Sequence, residues 1–281
     1  MSQTTLAAPP AVAGRPQARE TALKVTQWRV IVSEWIKIRS LRSTVYTLLA
    51  AVVVVVGFGV IAALTSTGAI TTGNGGGDVG TDPVAISLTG VTLAQLVIGV
   101  LGVLVITADY STGMIRSTLA AVPKRLPVLW AKAGVLAVVT SVPMLAAVFA
   151  AFLTGQAILS GDGGVTLTDP GVLRAVLGSV GYLAGVALLG LATGAIIRIT
   201  AGAIAAFVGA LLLLPPLLSA VLPSGWGDTV VSYLPSNAAA AFTTVNPGAN
   251  LLSPGAGLAV FAGYVVVLFG AAAALLIRRD A

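Results

Sequence analysis

Ala108-Asp-Tyr-Ser-Thr-Gly-Met-Ile-Arg-Ser-Thr-Leu-Ala-Ala-Val-Pro-Lys-Arg-Leu-Pro127 is a polar island between two long apolar runs. It carries one acid, Asp109, and three bases, Arg116, Lys124 and Arg125. The runs on either side, roughly 85–107 and 128–154, are each long enough to cross about 30 Å of hydrocarbon at 1.5 Å per residue. A soluble core accommodates one such run. This chain has six, so the island reads as a connector between membrane spans.

Composition agrees. The 281 residues are 57% hydrophobic and 9% charged, against roughly 25% charged in a soluble domain. Neither cysteine nor histidine is present, which removes disulfides, thiolate nucleophiles, histidine-based triads and His/Cys metal sites. No site residue is therefore assigned to catalysis or to a metal. The expected fold is all-α and polytopic, with spans at about 44–64, 85–107, 128–154, 172–197, 201–222 and 256–277. Pro143 in the third span and Pro215-Pro216 in the fifth interrupt the helical pattern, and Pro143 is expected to kink its helix. In the fourth, Gly181-x-x-x-Gly185 and Gly190-x-x-x-Gly194 let helix backbones approach closely.

Residues 1–22, rich in Ala, Pro, Thr and Gln, read as a disordered tail. The first apolar run begins too late for a signal peptide. Residues 23–43 read as an amphipathic helix lying on the membrane surface. Val25, Trp28, Ile31, Val32, Trp35, Ile36 and Ile38 share one side. Arg29, Ser33, Glu34 and Lys37 share the other, the bases being in water, with Val30 as the exception. Arg39 and Arg42 mark the turn into the lipid. Between 223 and 254 a long connector holds an apolar stretch, 237–245, too short to cross. It fits a re-entrant or interfacial helix, with an ordinary loop as the alternative.

The net charge of +6 is not a nucleic-acid patch, because the bases sort by connector. Arg15, Arg19, Lys24, Arg29, Lys37, Arg39 and Arg42 precede the first span; Arg116, Lys124, Arg125 and Lys132 lie around the island; Arg198, Arg278 and Arg279 complete that side. The opposite connectors carry acids and no bases, Arg174 at the foot of the fourth span being the exception. This pattern predicts a multi-pass protein with both termini cytoplasmic. No ionisable group lies mid-membrane, which disfavours proton- or sodium-coupled transport. The polar groups at depth include Thr92, Gln95 and Ser141, which serve either interhelical hydrogen bonds or contact with cargo.

The segments Trp28-Arg-Val-Ile-Val-Ser-Glu-Trp-Ile-Lys-Ile-Arg-Ser-Leu-Arg-Ser-Thr44 and Asp109-Tyr-Ser-Thr-Gly-Met-Ile-Arg-Ser-Thr-Leu-Ala-Ala-Val-Pro-Lys-Arg125, set in this order of elements, resemble the permease subunit of type-2 ATP-binding-cassette exporters of actinobacterial type. The resemblance covers about residues 23–280, although many members have glutamate where this chain has Asp109. It implies a bacterial plasma-membrane protein that works as a pair, with a second copy or a paralogue, beside a separate ATP-binding subunit. Cofactors are then none of its own, ATP and Mg being used by that partner. It also implies that the island is a coupling helix seated in the partner, through Asp109, Tyr110, Thr112, Gly113, Met114, Arg116, Thr118 and Leu119. Ser111 or Thr112 is expected to cap this helix, whose apolar side is Met114, Ile115, Leu119 and Val122. An apolar cavity favours a hydrophobic or amphiphilic cargo. Two other classes stay open: a secondary carrier or channel, and a non-transporting scaffold or immunity protein. An enzyme is not expected.

Overall fold

The computed structural model describes residues 26–70, 82–115, 126–161, 163–248 and 250–278. The expectations for the tail 1–22 and for Arg116, Thr118, Leu119, Val122, Lys124 and Arg125 fall outside the described residues. Every regular element among the described residues is a helix: α1 (Gln27–Ser40), α2 (Arg42–Ser66), α3 (Pro83–Ser87), α4 (Thr89–Ser111), α5 (Leu126–Leu159), α6 (Val172–Ile197), α7 (Thr200–Val221), α8 (Ser224–Ser232), α9 (Pro235–Thr243) and α10 (Pro254–Arg278). Six of these, α2, α4, α5, α6, α7 and α10, are long and apolar enough to span a bilayer. The chain is a multi-pass membrane protein.

The core is centred on α6. In its spanning segment 61% of residues are buried, against 17% in α7 and 22% in α10, so α6 is enclosed while those two present their sides outward. α4 packs on α6 backbone to backbone. A Cβ on Gly102 would overlap the carbonyl oxygen of Ala187, and one on Gly190 would overlap that of Gly99. A Cβ on Gly194 would stand 3.1 Å from the carbonyl oxygen of Val103. Gly185 accommodates the ring of Phe261 from α10, whereas Gly181 faces open space. Three of the four α6 glycines read from the sequence thus mark contacts.

Three details differ from the sequence reading. The second span does not run unbroken from residue 85. Asp82 caps a short α3, its carboxylate accepting from the Val84 N–H at 2.9 Å, with Pro83 at the first helical position. Gln156 of α5 then donates to the Pro83 carbonyl and to the Ser87 hydroxyl, both at 2.9 Å. α3 is wedged between Gly59 of α2 and Gly155 of α5, and the chain turns at Leu88 before α4 begins. The third helix is longer than expected: the 34 residues of α5 reach about 51 Å at 1.5 Å per residue, so it projects past the hydrocarbon. In α7, residues Gly209–Leu213 form a π-turn. Pro215 and Pro216 lack the N–H groups that would bond Leu211 and Leu212, and the widened turn absorbs that loss.

The apolar stretch near 237–245 forms α9, with Ala238, Ala239, Ala241 and Phe242 buried against α6 and α10. Arg174, the exception in the charge pattern, serves this helix. Its Nη2 donates to the carbonyls of Thr244 and Val245 at 2.9 and 2.8 Å, holding the end of α9 to the start of α6.

The α4–α6 contact predicts that Gly190→Val, which forces two backbones apart, destabilises the protein by about 1–3 kcal/mol, the usual cost of overpacking. Gly181→Ala, in open space, should leave the protein as stable or slightly more so. Thermal unfolding of both variants in detergent checks the contrast.

Candidate functional site

The site begins with α1. Val30, Glu34 and Ile38, spaced at i, i+4, i+8, form its buried line. Val30 packs on Val128 and Ala131 at the start of α5. The Gln27 side-chain amide donates to the Pro127 carbonyl at 3.1 Å. This corrects the two-sided reading of the helix. Trp28, Trp35 and Ile36 do point outward, as do Arg29, Arg39 and Arg42. Glu34, expected on the polar side, is only 2% exposed, and Lys37 is half-buried. A third side of the helix faces protein, and an acid lies on it.

Glu34 is held by two lysines. Lys132 Nζ from α5 lies 2.7 Å from its Oε2, and Lys37 Nζ lies 3.5 Å from its Oε1. Asp109, in the last turn of α4, takes the same two cations. Lys37 Nζ donates to both of its oxygens at 3.0 Å, and Lys132 Nζ lies 2.8 Å from Oδ2. Glu34, Lys37, Asp109 and Lys132 therefore close a loop of alternating sign with no net charge. It joins α1, α4 and α5.

Lys132 is 1% exposed and Asp109 4%. An ammonium has three N–H donors. Lys132 directs its own to Glu34, to Asp109 and, at 3.4 Å, to the carbonyl of Val105. A carboxylate in a helix's final turn opposes the helix dipole. The two lysines offset that by pairing with Asp109 directly.

Beside the quartet, Tyr110 lies under the guanidinium of Arg198, 5.2 Å from the ring centroid. This is a cation–π contact that ties the end of α4 to the α6–α7 turn. Arg198 itself takes a left-handed conformation, φ 64°, and its N–H caps α6 at the Gly194 carbonyl, 2.8 Å away.

The rest of the island's described half leads away from this cluster. Helical conformation resumes at Met114 and Ile115, just past Ser111 and Thr112. The Ser111 and Thr112 hydroxyls donate back to the Ala108 carbonyl at 3.0 and 2.8 Å, closing α4. Gly113 follows with φ +70°, Met114 is exposed and Ile115 is buried. Of the residues expected to meet a partner, Thr112, Gly113 and Met114 are at the surface. Asp109 is occupied within the chain.

A second polar site lies toward the opposite end of α4. A cleft of about 300 Å³ is bounded by α3, α4, α6 and α9, with Thr92, Gln95, Ser179, Tyr182 and Ser236 among its lining. Tyr182 donates to the Gln95 side-chain oxygen, so Gln95 has an interhelical partner, and Thr92 is exposed at the cleft. The Ser236 hydroxyl is buried without a hydrogen bond. Ser141 stands apart on α5 and lines no part of this cleft.

No protein-family model, no curated protein and no solved structure matches the chain.

Sequence reading missed Lys132 as a member of a site. The available signal was electrostatic. Two acids, Glu34 and Asp109, stood in otherwise apolar and basic surroundings, and a lysine lay a turn and a half inside the third apolar run.

If the quartet holds α1 to the bundle, Lys132→Met leaves Glu34 and Asp109 facing one half-exposed lysine. A loss of about 3–5 kcal/mol is expected, as for breaking a buried pair from one side. Adding Glu34→Met should restore part of the loss, with a coupling of about 0.5–3 kcal/mol. Unfolding of the two single variants and the double variant measures it.

Proposed function

We propose that this chain is the membrane-spanning permease subunit of an ATP-binding-cassette exporter. It works as a pair and is driven by a separate ATP-hydrolysing subunit on the cytoplasmic side. The observation that carries the reading is the placement of the charge quartet. It lies directly behind the α4–α5 connector and binds α1, α4 and α5 into one body.

A load applied to the connector at Thr112–Met114 reaches Asp109 within one helical turn. The quartet passes it to α1 through Glu34 and Lys37, and to α5 through Lys132. α4 is packed by its glycines on α6, the most enclosed helix, so tilting α4 moves the bundle's centre. Tyr110 and Arg198 extend the same connection to the α6–α7 turn. The permease supplies no catalytic side chain in this scheme. ATP and Mg act in the partner, and this chain converts the partner's motion into a change of its own cavity.

Cargo class follows from the cleft near Gln95. No acidic or basic side chain lines it, and apolar wall alternates with hydroxyl and amide groups. Such a surface suits an uncharged, amphiphilic or hydrophobic compound. Hydrogen-bond partners left free there, such as the Ser236 hydroxyl, would orient its polar end.

The test uses the chain's lack of cysteine. A Thr112→Cys variant should be labelled by a membrane-impermeant maleimide only after cells are opened, which fixes the connector inside. Wild-type protein, extracted in mild detergent, should bring an ATP-hydrolysing subunit with it. Gly113→Pro should insert normally yet retain less than a tenth of that associated ATPase, because proline's φ near −65° cannot match the observed +70°. Labelling of intact cells, or transport by the chain alone driven by an ion gradient, would overturn the proposal in favour of a carrier.

A further inference from the structure

The elbow between α1 and α2 encloses a groove of about 260 Å³. α1 contributes Trp35 and Ile38, α2 contributes Val45 and Leu48, and α5 contributes Val138 and Val142. Its wall is apolar apart from two residues, Arg39 and Thr44.

The side chains of both polar residues lack partners among the described residues. Arg39 and its neighbour Arg42 form no ion pair among the described residues. The nearby carboxylates, Glu34 and Asp109, are already held by Lys37 and Lys132. Thr44 is 4% exposed, and its hydroxyl makes no hydrogen bond among the described residues. The elbow thus places Arg39, a cation with no carboxylate partner among the described residues, and the unpaired hydroxyl of Thr44 in an apolar slot, with the exposed Arg42 three residues further along at the start of α2. The slot lies where the chain passes from the membrane surface into hydrocarbon.

We infer that this groove binds one acidic phospholipid from the leaflet that carries α1, with its phosphate on Arg39 and Arg42, its ester oxygens within reach of Thr44, and an acyl chain along Val45, Leu48, Val138 and Val142. The occupant is an amphiphile because the slot is apolar below and cationic above. Its net charge is negative because no free carboxylate stands nearby among the described residues to receive the ammonium of a zwitterionic headgroup. Juxtamembrane arginines attract anionic lipid on general electrostatic grounds. The groove adds a fixed place for the chain and hence a defined stoichiometry. A lipid seated there wedges the angle between α1 and α2, and through the quartet it bears on α4. The inference depends on the chain spanning a membrane but not on its being a transporter.

Trp35 lines the groove and reports occupancy. The full-length protein is reconstituted in phosphatidylcholine nanodiscs that contain about one tenth of lipid brominated on its acyl chains. The brominated lipid is either phosphatidylglycerol or phosphatidylcholine. Quenching that depends on Trp35 is the difference between wild type and Trp35→Phe.

Brominated phosphatidylglycerol should quench Trp35 at least threefold more than brominated phosphatidylcholine at equal content. Arg39→Gln combined with Arg42→Gln should remove that excess, and so should Val142→Phe, which fills the slot without changing charge or adding a second emitter. Equal quenching by the two lipids would overturn the inference. So would an excess that survives both variants, or quenching by neither lipid, as when a second copy of the chain covers the groove. The charge variant and the filling variant alter different properties, so agreement between them is not a folding artefact; an unchanged unfolding midpoint confirms this.

Discussion

Two carboxylates and two ammonium groups withdrawn from water impose the main constraint on this molecule. Taking an ion out of water costs on the order of several kcal/mol even after relaxation, and attraction repays this only when geometry is good and every donor and acceptor is used. The quartet meets that condition because its members come from three different helices. Asp109 has no second cation unless α5 is in place, and Glu34 has none outside α1 unless Lys132 reaches it. α1 can therefore detach only by leaving Asp109 and Lys132 with one ion-pair partner each in an apolar interior. A surface helix bound by apolar contact alone would slide. One bound by this quartet has a single register.

That register accounts for the shape of the surrounding fold. Lys132 lies six residues into α5, so α5 must begin beyond the hydrocarbon for α1 to lie across its first two turns. The length of α5 follows. Asp109 closes α4, so Ser111 and Thr112 turn their hydroxyls back onto Ala108, and the chain leaves through Gly113 in a conformation only glycine adopts easily. At the other end of the bundle, the wedge of α3 between Gly59 and Gly155 gives α2, α4 and α5 a second fixed point. Between these anchors α4 is held along its length by α6. A helix fixed at both ends and packed backbone to backbone moves as a rod.

Much of this was legible in the residues, and the limits have physical causes. An apolar run of about 20 residues has few alternatives to a helix across a bilayer, so six runs gave six helices. Proline and glycine punctuated their ends, and residues 172–197 coincide with α6. What failed was the two-sided picture of α1. A wheel divides a helix into wet and greasy halves, whereas a helix at a membrane surface has three environments: water, lipid and protein. Val30, the exception in that picture, belonged to the protein-facing side, and Glu34 lay beside it at i+4. Lys132 was counted as one more base near a loop because charge sorting records which end of a span a residue occupies but not what it touches. The break at Leu88 was invisible because it comes from Gln156, 68 residues downstream. Gln95 was read as a group needing a partner, while Tyr182, which donates to it, looked like one more aromatic residue in a span.

The same quartet explains why the elbow is the place to look for lipid. Each described acid at that end of the bundle satisfies lysines, and Arg39 of α1 and Arg42 at the start of α2 receive no carboxylate among the described residues. Had Glu34 faced water, it would have neutralised Arg39 or Arg42, and the groove beneath them would carry no field. By drawing both carboxylates inward to hold the helices together, the fold leaves its outer rim positive. An internal requirement, charge balance in a dry interface, thereby sets an external property: the sign of the surface where the chain enters the membrane. Changing either acid should therefore act in two places at once, loosening α1 from α5 and altering what the rim attracts. A purely local reading of Asp109 as a contact for a partner would miss both effects.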